Sequence, residues 1–435
     1  MKPTDLLAIC LAIFSMFMGA GNIIFPPMVG QQAGSHILSG SFGFLAGDIG
    51  LTLFTLIGVA IAGGPSKITD DLPPWAAKTF WIVLFSVLGP AFVVPRTAHV
   101  AWEIGVEPFI NNSGELIQSA FIIAFLALAA WSALSPGRII NAVGRFMAPV
   151  LLLILAIIAV ATVINPQGHI EAASGNYINH AFSEGMIQGY LTMDALGPLC
   201  LGWMIANLLR SKGVTSERSI VYYSAVVGLF ATVGMGMIYS ALLYLGATSH
   251  EVSPQAVNGA HILTTYISAL FGTTGALITG IVIFLACLTT AVGTPGACAQ
   301  YFHSIAPSHS YRWYIGIIYL ISAGIAMIGL DKIITLSIPV LVTIYPVAIA
   351  LTMTSILRRF IPAPVVMTRT TSLITLIFAL LDGWKVSSLM PEAIALYLSH
   401  YLPLFDQSMG WFMPAVVAMV CSAVIGSRTH FLVEK

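Results

Sequence analysis

The chain has 435 residues, 58% of them hydrophobic and only 8% charged, with 17 basic residues balancing 17 acidic ones. A soluble domain carries about a quarter charged residues, so this composition excludes a water-exposed globular surface. Net charge is zero, so the charge balance gives no argument for nucleic-acid binding. A mean hydropathy of +0.93 indicates a polytopic all-α membrane protein, because an outer-membrane barrel would show short segments of alternating polarity.

The N-terminus, Met1-Lys2-Pro3 followed by an apolar run from Leu6, superficially resembles a signal peptide. No A-x-A-like cleavage site follows where one is expected, and the apolar run continues, so it reads as a retained first span. A spanning helix needs about 20 mainly apolar residues. On that criterion twelve spans are predicted, at roughly 5–33, 37–62, 75–101, 115–134, 142–164, 182–209, 217–246, 272–302, 311–328, 333–357, 366–383 and 409–427. A short amphipathic helix is predicted near 258–270, ahead of the eighth span. No connection exceeds about 30 residues, so 1–435 reads as one transmembrane domain.

The first span is interrupted by Met18-Gly19-Ala20-Gly21-Asn22-Ile23-Ile24-Phe25-Pro26-Pro27. A break inside a bilayer frees backbone groups that only protein or a water-filled cavity can satisfy. The pattern predicts one half-helix ending near Phe17 and Met18 and another starting near Ile23, with the prolines close to its start. Free carbonyls at the first end would suit a hard cation, and free N–H groups at the second a carboxylate. The bland alternative is a packing or kink motif.

The sixth span breaks in the same style at Gly189-Tyr190-Leu191-Thr192-Met193-Asp194-Ala195-Leu196-Gly197-Pro198. A carboxylate at membrane depth faces a cavity or a partner, so Asp194 is open to three roles: ion ligation, proton relay, or capping of the restarted helix. In the eighth span, Ala286, Thr289 and Thr290 can share one helical face. Their hydroxyls could join carbonyls of the first break in an uncharged all-oxygen site, or bond back to their own helix. Asp48 could be a coupling carboxylate or the partner of a nearby base. Arg96, after Gly89-Pro90 and Pro95, reads as an interfacial or gate residue.

Lys and Arg orient the chain. All except Arg96, Lys332 and Lys385 fall on one side of the predicted spans, so that side, which holds both termini, reads as cytoplasmic. Five spans separate the two broken helices, so equivalent helices would run in opposite directions. A weaker echo links Arg138-Ile139-Ile140-Asn141 to Lys332-Ile333-Ile334-Thr335. Together these predict inverted repeats at 5–164 and 182–357, with 366–427 holding two additional helices. The five cysteines read as buried small hydrophobes. The ten histidines form no HExxH motif, and there is no G-x-x-x-x-G-K-[ST] loop for ATP.

Gly19 to Pro27, Gly189 to Asp194 and Pro339-Val340-Leu341-Val342-Thr343-Ile344-Tyr345-Pro346 resemble the pattern of the bacterial branched-chain amino acid:cation symporter family (LIVCS), and the match runs the whole chain. The resemblance implies a leucine-transporter-like fold of the amino acid–polyamine–organocation superfamily, in the bacterial plasma membrane. It implies uptake of leucine, isoleucine and valine by alternating access, driven by sodium or, in some members, protons. Carried over, Ala20, Gly21 and Asn22 would face the substrate carboxylate, and Thr192, Met193 and Asp194 its amino group or side chain. Sodium would be held by carbonyls of Ser15, Met18 and Ala286 and by the hydroxyls of Thr289 and Thr290, with threonine replacing the family fold's serine. Phe17, Phe25, Phe92 and Met193 are plausible walls of an apolar subsite. No further cofactor and no obligate protein partner are expected.

The rivals are a carrier of another small neutral solute on the same fold, a channel, or a membrane-embedded enzyme. The channel lacks repeated filter loops or charged rings, and the enzyme lacks a nucleophile–base pair or metal cluster at membrane depth.

Overall fold

The computed structural model describes residues 2–110, 114–134, 148–358, 360, 361 and 363–433, and among these it holds helices and turns but no strand. All twelve predicted spans fall on helices. Among the described residues seven helical stretches are long and apolar enough to cross a membrane, and Pro3–Phe17, Pro149–Ile164 and Phe412–Val424 are shorter apolar helices. The stretch Ala20–Ala62 carries the end of the first predicted span and all of the second. The Arg138–Asn141 half of the sequence echo lies outside the described residues, as does the start of the fifth span.

The first span is two helices, α1 (Pro3–Phe17) and α2 (Ala20–Ala33). The restart at Ala20 comes three positions earlier than the prolines suggest. Pro26 and Pro27 therefore lie inside α2 and not in its first turn. Having no N–H, they leave the carbonyls of Asn22 and Ile23 without their intrahelical donors.

The second span is α3 (Ile37–Leu45), a π-helical turn (Ala46–Gly50) that contains Asp48, and α4 (Leu51–Ala62). The third is α5 (Pro74–Ser86), a second π-helical turn (Val87–Ala91) around Gly89-Pro90, and α6 (Val93–Gly105). Single π-turns are rare and tend to mark functional sites. α7 (Glu115–Ala133) and α8 (Ala148–Ile164) follow.

The sixth span breaks into α9 (Tyr177–Thr192) and α10 (Gly197–Ser211), and the seventh is α11 (Glu217–Ala247). The predicted amphipathic helix and the eighth span form α12 (Gly259–Ile305), interrupted at Gly272, whose φ of 66° only glycine adopts readily. α13 (Tyr311–Ala326) and α14 (Leu330–Leu357) complete ten spans. α15 (Pro364–Val386) and α17 (Phe412–Val433) carry the last two predicted spans, and α16 (Glu392–Tyr401), unforeseen in the sequence, lies between them. The buried carboxylate of Asp382 in α15 accepts the backbone N–H groups of Gly410 (3.2 Å) and Trp411 (3.0 Å), tying the two together.

Backbone contact through glycine packs the centre. A Cβ on Gly30 would lie 1.9 Å from the Leu243 carbonyl oxygen, and one on Gly246 1.9 Å from that of Pro27. Thus α2 meets α11 main chain to main chain. The same holds for α3 and α9, where a Cβ on Gly43 would lie 1.9 Å from the Phe182 oxygen and one on Gly185 2.2 Å from that of Gly40. Small residues permit this approach where apolar lipid gives helices no hydrophobic reason to associate.

Candidate functional site

The two breaks meet at the centre of the molecule. At the first, α1 ends at Phe17, Met18 leaves helical geometry (ψ 71°), Gly19 is extended, and no side chain caps α2. The first N–H groups of α2 are therefore without a capping side chain. Space is tight around both glycines. A Cβ on Gly21 would lie 2.7 Å from Arg96 Nη2, and one on Gly19 3.3 Å from Thr290.

At the second break, Met193 takes the left-handed conformation (φ 71°) and a single turn, Asp194–Leu196, leads into α10. The Thr192 hydroxyl donates to the Gly189 carbonyl (2.7 Å) and accepts from the Asp194 N–H (3.4 Å), which fixes the turn. Asp194 does not cap the restarted helix, which was one of its three readings. Its Oδ2 instead accepts from Asn22 Nδ2 (2.5 Å) and from the Tyr239 hydroxyl (2.8 Å), and the Asn22 amide also donates to Tyr239 Oη. Three helices are joined in one buried ring of polar groups.

Arg96 is 3% exposed and sits between the breaks. Its Nη1 donates to the Leu191 carbonyl (2.7 Å) and its Nη2 to that of Thr192 (3.4 Å), while the guanidinium lies 5.3 Å from the centre of the Phe25 ring. The interfacial reading of Arg96 is thus corrected. The π-turn at Gly89-Pro90 redirects the third span, and α6 carries the guanidinium inward to cap the open end of α9.

All six residues expected at the substrate, Ala20, Gly21, Asn22, Thr192, Met193 and Asp194, line one cavity of about 50 Å³, together with Arg96 and Thr290. Phe17 and Met193 form part of its wall; Phe25 lies under Arg96, and Phe92 is not among the lining residues. A second cavity of about 300 Å³ lies between α4, α10 and α11 and reaches the exposed Arg210–Glu217 ion pair. Phe17 borders both cavities, and its ring fills the space that a Cβ on Gly197 would need, 2.3 Å away.

On the other side of α1, Thr289 Oγ1 lies 3.1 Å from the Ser15 carbonyl, 2.8 Å from that of Ala286 and 3.3 Å from the Ser15 hydroxyl. Thr290 Oγ1 donates to the Met16 carbonyl at 3.2 Å. Thr289 therefore bonds both back to its own helix and across to α1. These neutral oxygens fit a hard cation of low charge, whose preferred ligands are carbonyls and hydroxyls. Thr290 meets Met16, which lies between the expected Ser15 and Met18. Met18 itself is fully buried at the end of α1.

Sequence reasoning missed Tyr239, one of four tyrosines in the long apolar helix α11, with nothing in its neighbourhood to single it out. It also missed the depth of Arg96, for which the Gly-Pro pair seven residues earlier was the available signal.

A family model described as branched-chain amino acid transport protein matches residues 2–429. The chain belongs to this family. The branched-chain amino acid transport system 2 carrier protein of Pseudomonas aeruginosa is 39% identical over 435 residues, covering 98% of each chain. The permease BrnQ of Escherichia coli K12 is 38% identical over 436 residues, covering 98% of this chain and 97% of the relative. The Bacillus subtilis BrnQ is 34% identical, covering 97% of this chain and 96% of its own. Among solved structures, Mhp1, a nucleobase-cation-symport-1 family transporter closed on bromovinylhydantoin, matches with a TM-score of 0.56 at 12% identity, covering 97% of this chain and 94% of that one. MhsT in complex with L-phenylalanine matches at 0.51 and 13%, covering 96% and 97%. These likenesses establish the leucine-transporter-like fold, and the family makes the chain a transport protein of the membrane.

Proposed function

We propose that this protein imports leucine, isoleucine and valine together with sodium by alternating access. The observation that carries the reading is the meeting of both helix breaks at one cavity, with α12 hydroxyls bonded to the carbonyl end of α1. The uncapped start of α2, at Ala20, Gly21 and Asn22, takes the substrate carboxylate. Thr192, Met193 and Asp194 take the amino group and the base of the side chain. Sodium lies among Ser15, Met18, Ala286, Thr289 and Thr290, where it ties α1 to α12. One methylene is worth only about 1–3 kcal/mol in an apolar subsite, so the three substrates share one carrier.

In this reading the inverted repeats are 5–164 and 182–357. The positively charged end, with both termini, faces the cytoplasm across the bacterial inner membrane. The 300 Å³ cavity is then the cytoplasmic exit, and Phe17 the partition between it and the substrate. A cavity of 50 Å³ is far smaller than the 300 Å³ or more usual for a ligand site, in keeping with a site that opens only as the helices move apart.

Labelled leucine uptake into proteoliposomes tests the proposal. Uptake should be faster with an inward sodium gradient than with potassium, and excess isoleucine or valine should suppress it. Equal rates in sodium and potassium would remove the sodium claim, and failure of both competitors would remove the shared site.

A further inference from the structure

Behind the substrate residues lies a carboxylate that the transport reading does not use. Asp48 sits in the π-helical turn of the second span and is 0% exposed. Neither of its carboxylate oxygens accepts a well-formed hydrogen bond among the described residues. The groups that face it are Asp194 and Thr192 from the broken sixth span, Tyr239 from α11 and, at longer range, Tyr345 from α14. Arg96, bonded to the Leu191 and Thr192 carbonyls, acts on Asp194. The fully buried centre therefore holds two carboxylates and one guanidinium.

We infer that Asp48 and Asp194 share one bound proton, which makes Asp48 a proton site built into the wall of the substrate region. With both carboxylates ionised, the core would carry one uncompensated negative charge, which a low-dielectric interior does not tolerate. A zwitterionic amino acid adds no net charge and cannot balance it. Asn22 and Tyr239 both donate to Oδ2 of Asp194, so they stabilise the ionised form of Asp194 and leave Asp48 as the member that carries the proton.

A metal ion in place of the proton lacks a ligand set: among the described residues no group of three or more His, Cys, Asp or Glu comes together. Asp48 is not among the residues lining the 50 Å³ cavity. Around it the main chains of the second and sixth spans are in contact. A Cβ on Gly189 would lie 2.8 Å from the Asp48 nitrogen and from the Phe44 oxygen, and one on Gly47 2.2 Å from the Met186 oxygen. Close-packed main chain therefore borders Asp48, and a proton needs no added space there. The inference concerns the carrier without bound sodium, since an ion at the seam of α1 and α12 would itself supply the missing positive charge; the choice of substrate does not bear on it.

Infrared spectroscopy of the purified full-length carrier tests it without transport. At neutral pH and without sodium the wild-type spectrum should contain a carboxylic-acid carbonyl band that moves on transfer to D2O. Both Asp48→Asn and Asp194→Asn should lose it, since each leaves a single carboxylate balanced by Arg96. Absence of the band in the wild type would overturn the proposal, with no variant required. Persistence of the full band in both variants would overturn it as well, by assigning the signal to another carboxyl. Leucine uptake is measured in parallel, so a carrier that fails to transport leucine while showing the band separates the two proposals.

Discussion

Thr289 on α12 reaches the carbonyl of Ser15 on α1 at 3.1 Å, across 274 positions of sequence. This contact bridges the N-terminal half-helix and the eighth span through atoms that a cation could also use. A hydroxyl bonded to a carbonyl and a cation bound by both are alternative ways of holding the same seam. The net value of such a hydrogen bond is modest, about 1 kcal/mol, so exchange between the two is inexpensive.

Thr289→Ala removes one oxygen and the cross-link together. The sodium concentration for half-maximal leucine uptake should rise about tenfold, equivalent to ~1.4 kcal/mol, while Thr289→Ser stays near the wild type. Uptake measured against sodium at constant ionic strength checks this, and an unchanged sodium curve would remove Thr289 from the site.

The Asn22–Asp194–Tyr239 ring should behave as a unit. Asn22→Ala and Tyr239→Phe each take one donor from a buried carboxylate, at a cost of about 1–3 kcal/mol. A double-mutant cycle on leucine binding should give a coupling of about 0.5–3 kcal/mol. Strict additivity would show that the ring is not energetically coupled.

Phe17→Ala should join the two cavities that its ring divides. The carrier should still exchange labelled for unlabelled leucine, but its uphill accumulation should fall severalfold. Loss of stability should stay under ~3 kcal/mol, because the ring already borders open space on two sides. Counterflow and accumulation in the same vesicles separate these outcomes, and undiminished accumulation would rule out the partition.

Gly246→Ala and Gly30→Ala insert a methyl group where the facing carbonyl oxygen lies 1.9 Å away. Each should destabilise the detergent-solubilised protein by ~1–3 kcal/mol or more, read as a lowered thermal midpoint. Gly316→Ala, in open space on α13, should be silent and serves as the control.

The broken helices were legible because glycine, asparagine and proline inside an apolar run have few uses in a bilayer. Asp194, Thr289 and Thr290 were legible as polar groups at membrane depth. The restart of α2 was not. Pro26 and Pro27 are favoured at a helix start, yet here close packing of α2 against α11 holds them inside the helix. Arg96 was misread because its depth depends on a π-turn that spacing does not reveal. Tyr239 acquires its role only from what the sixth span places opposite it.

The glycine contacts bear on which parts of the molecule can move. Where Gly30 and Gly246 bring α2 onto α11, and Gly43 and Gly185 bring α3 onto α9, main chain meets main chain, with no side chain at those points to change rotamer. Those pairs behave as a single casting. The seam between α1 and α12 is different: it is held by hydroxyls that can swap partners. Any opening of the central cavity is therefore expected to use that seam as its latch and leave the glycine faces shut.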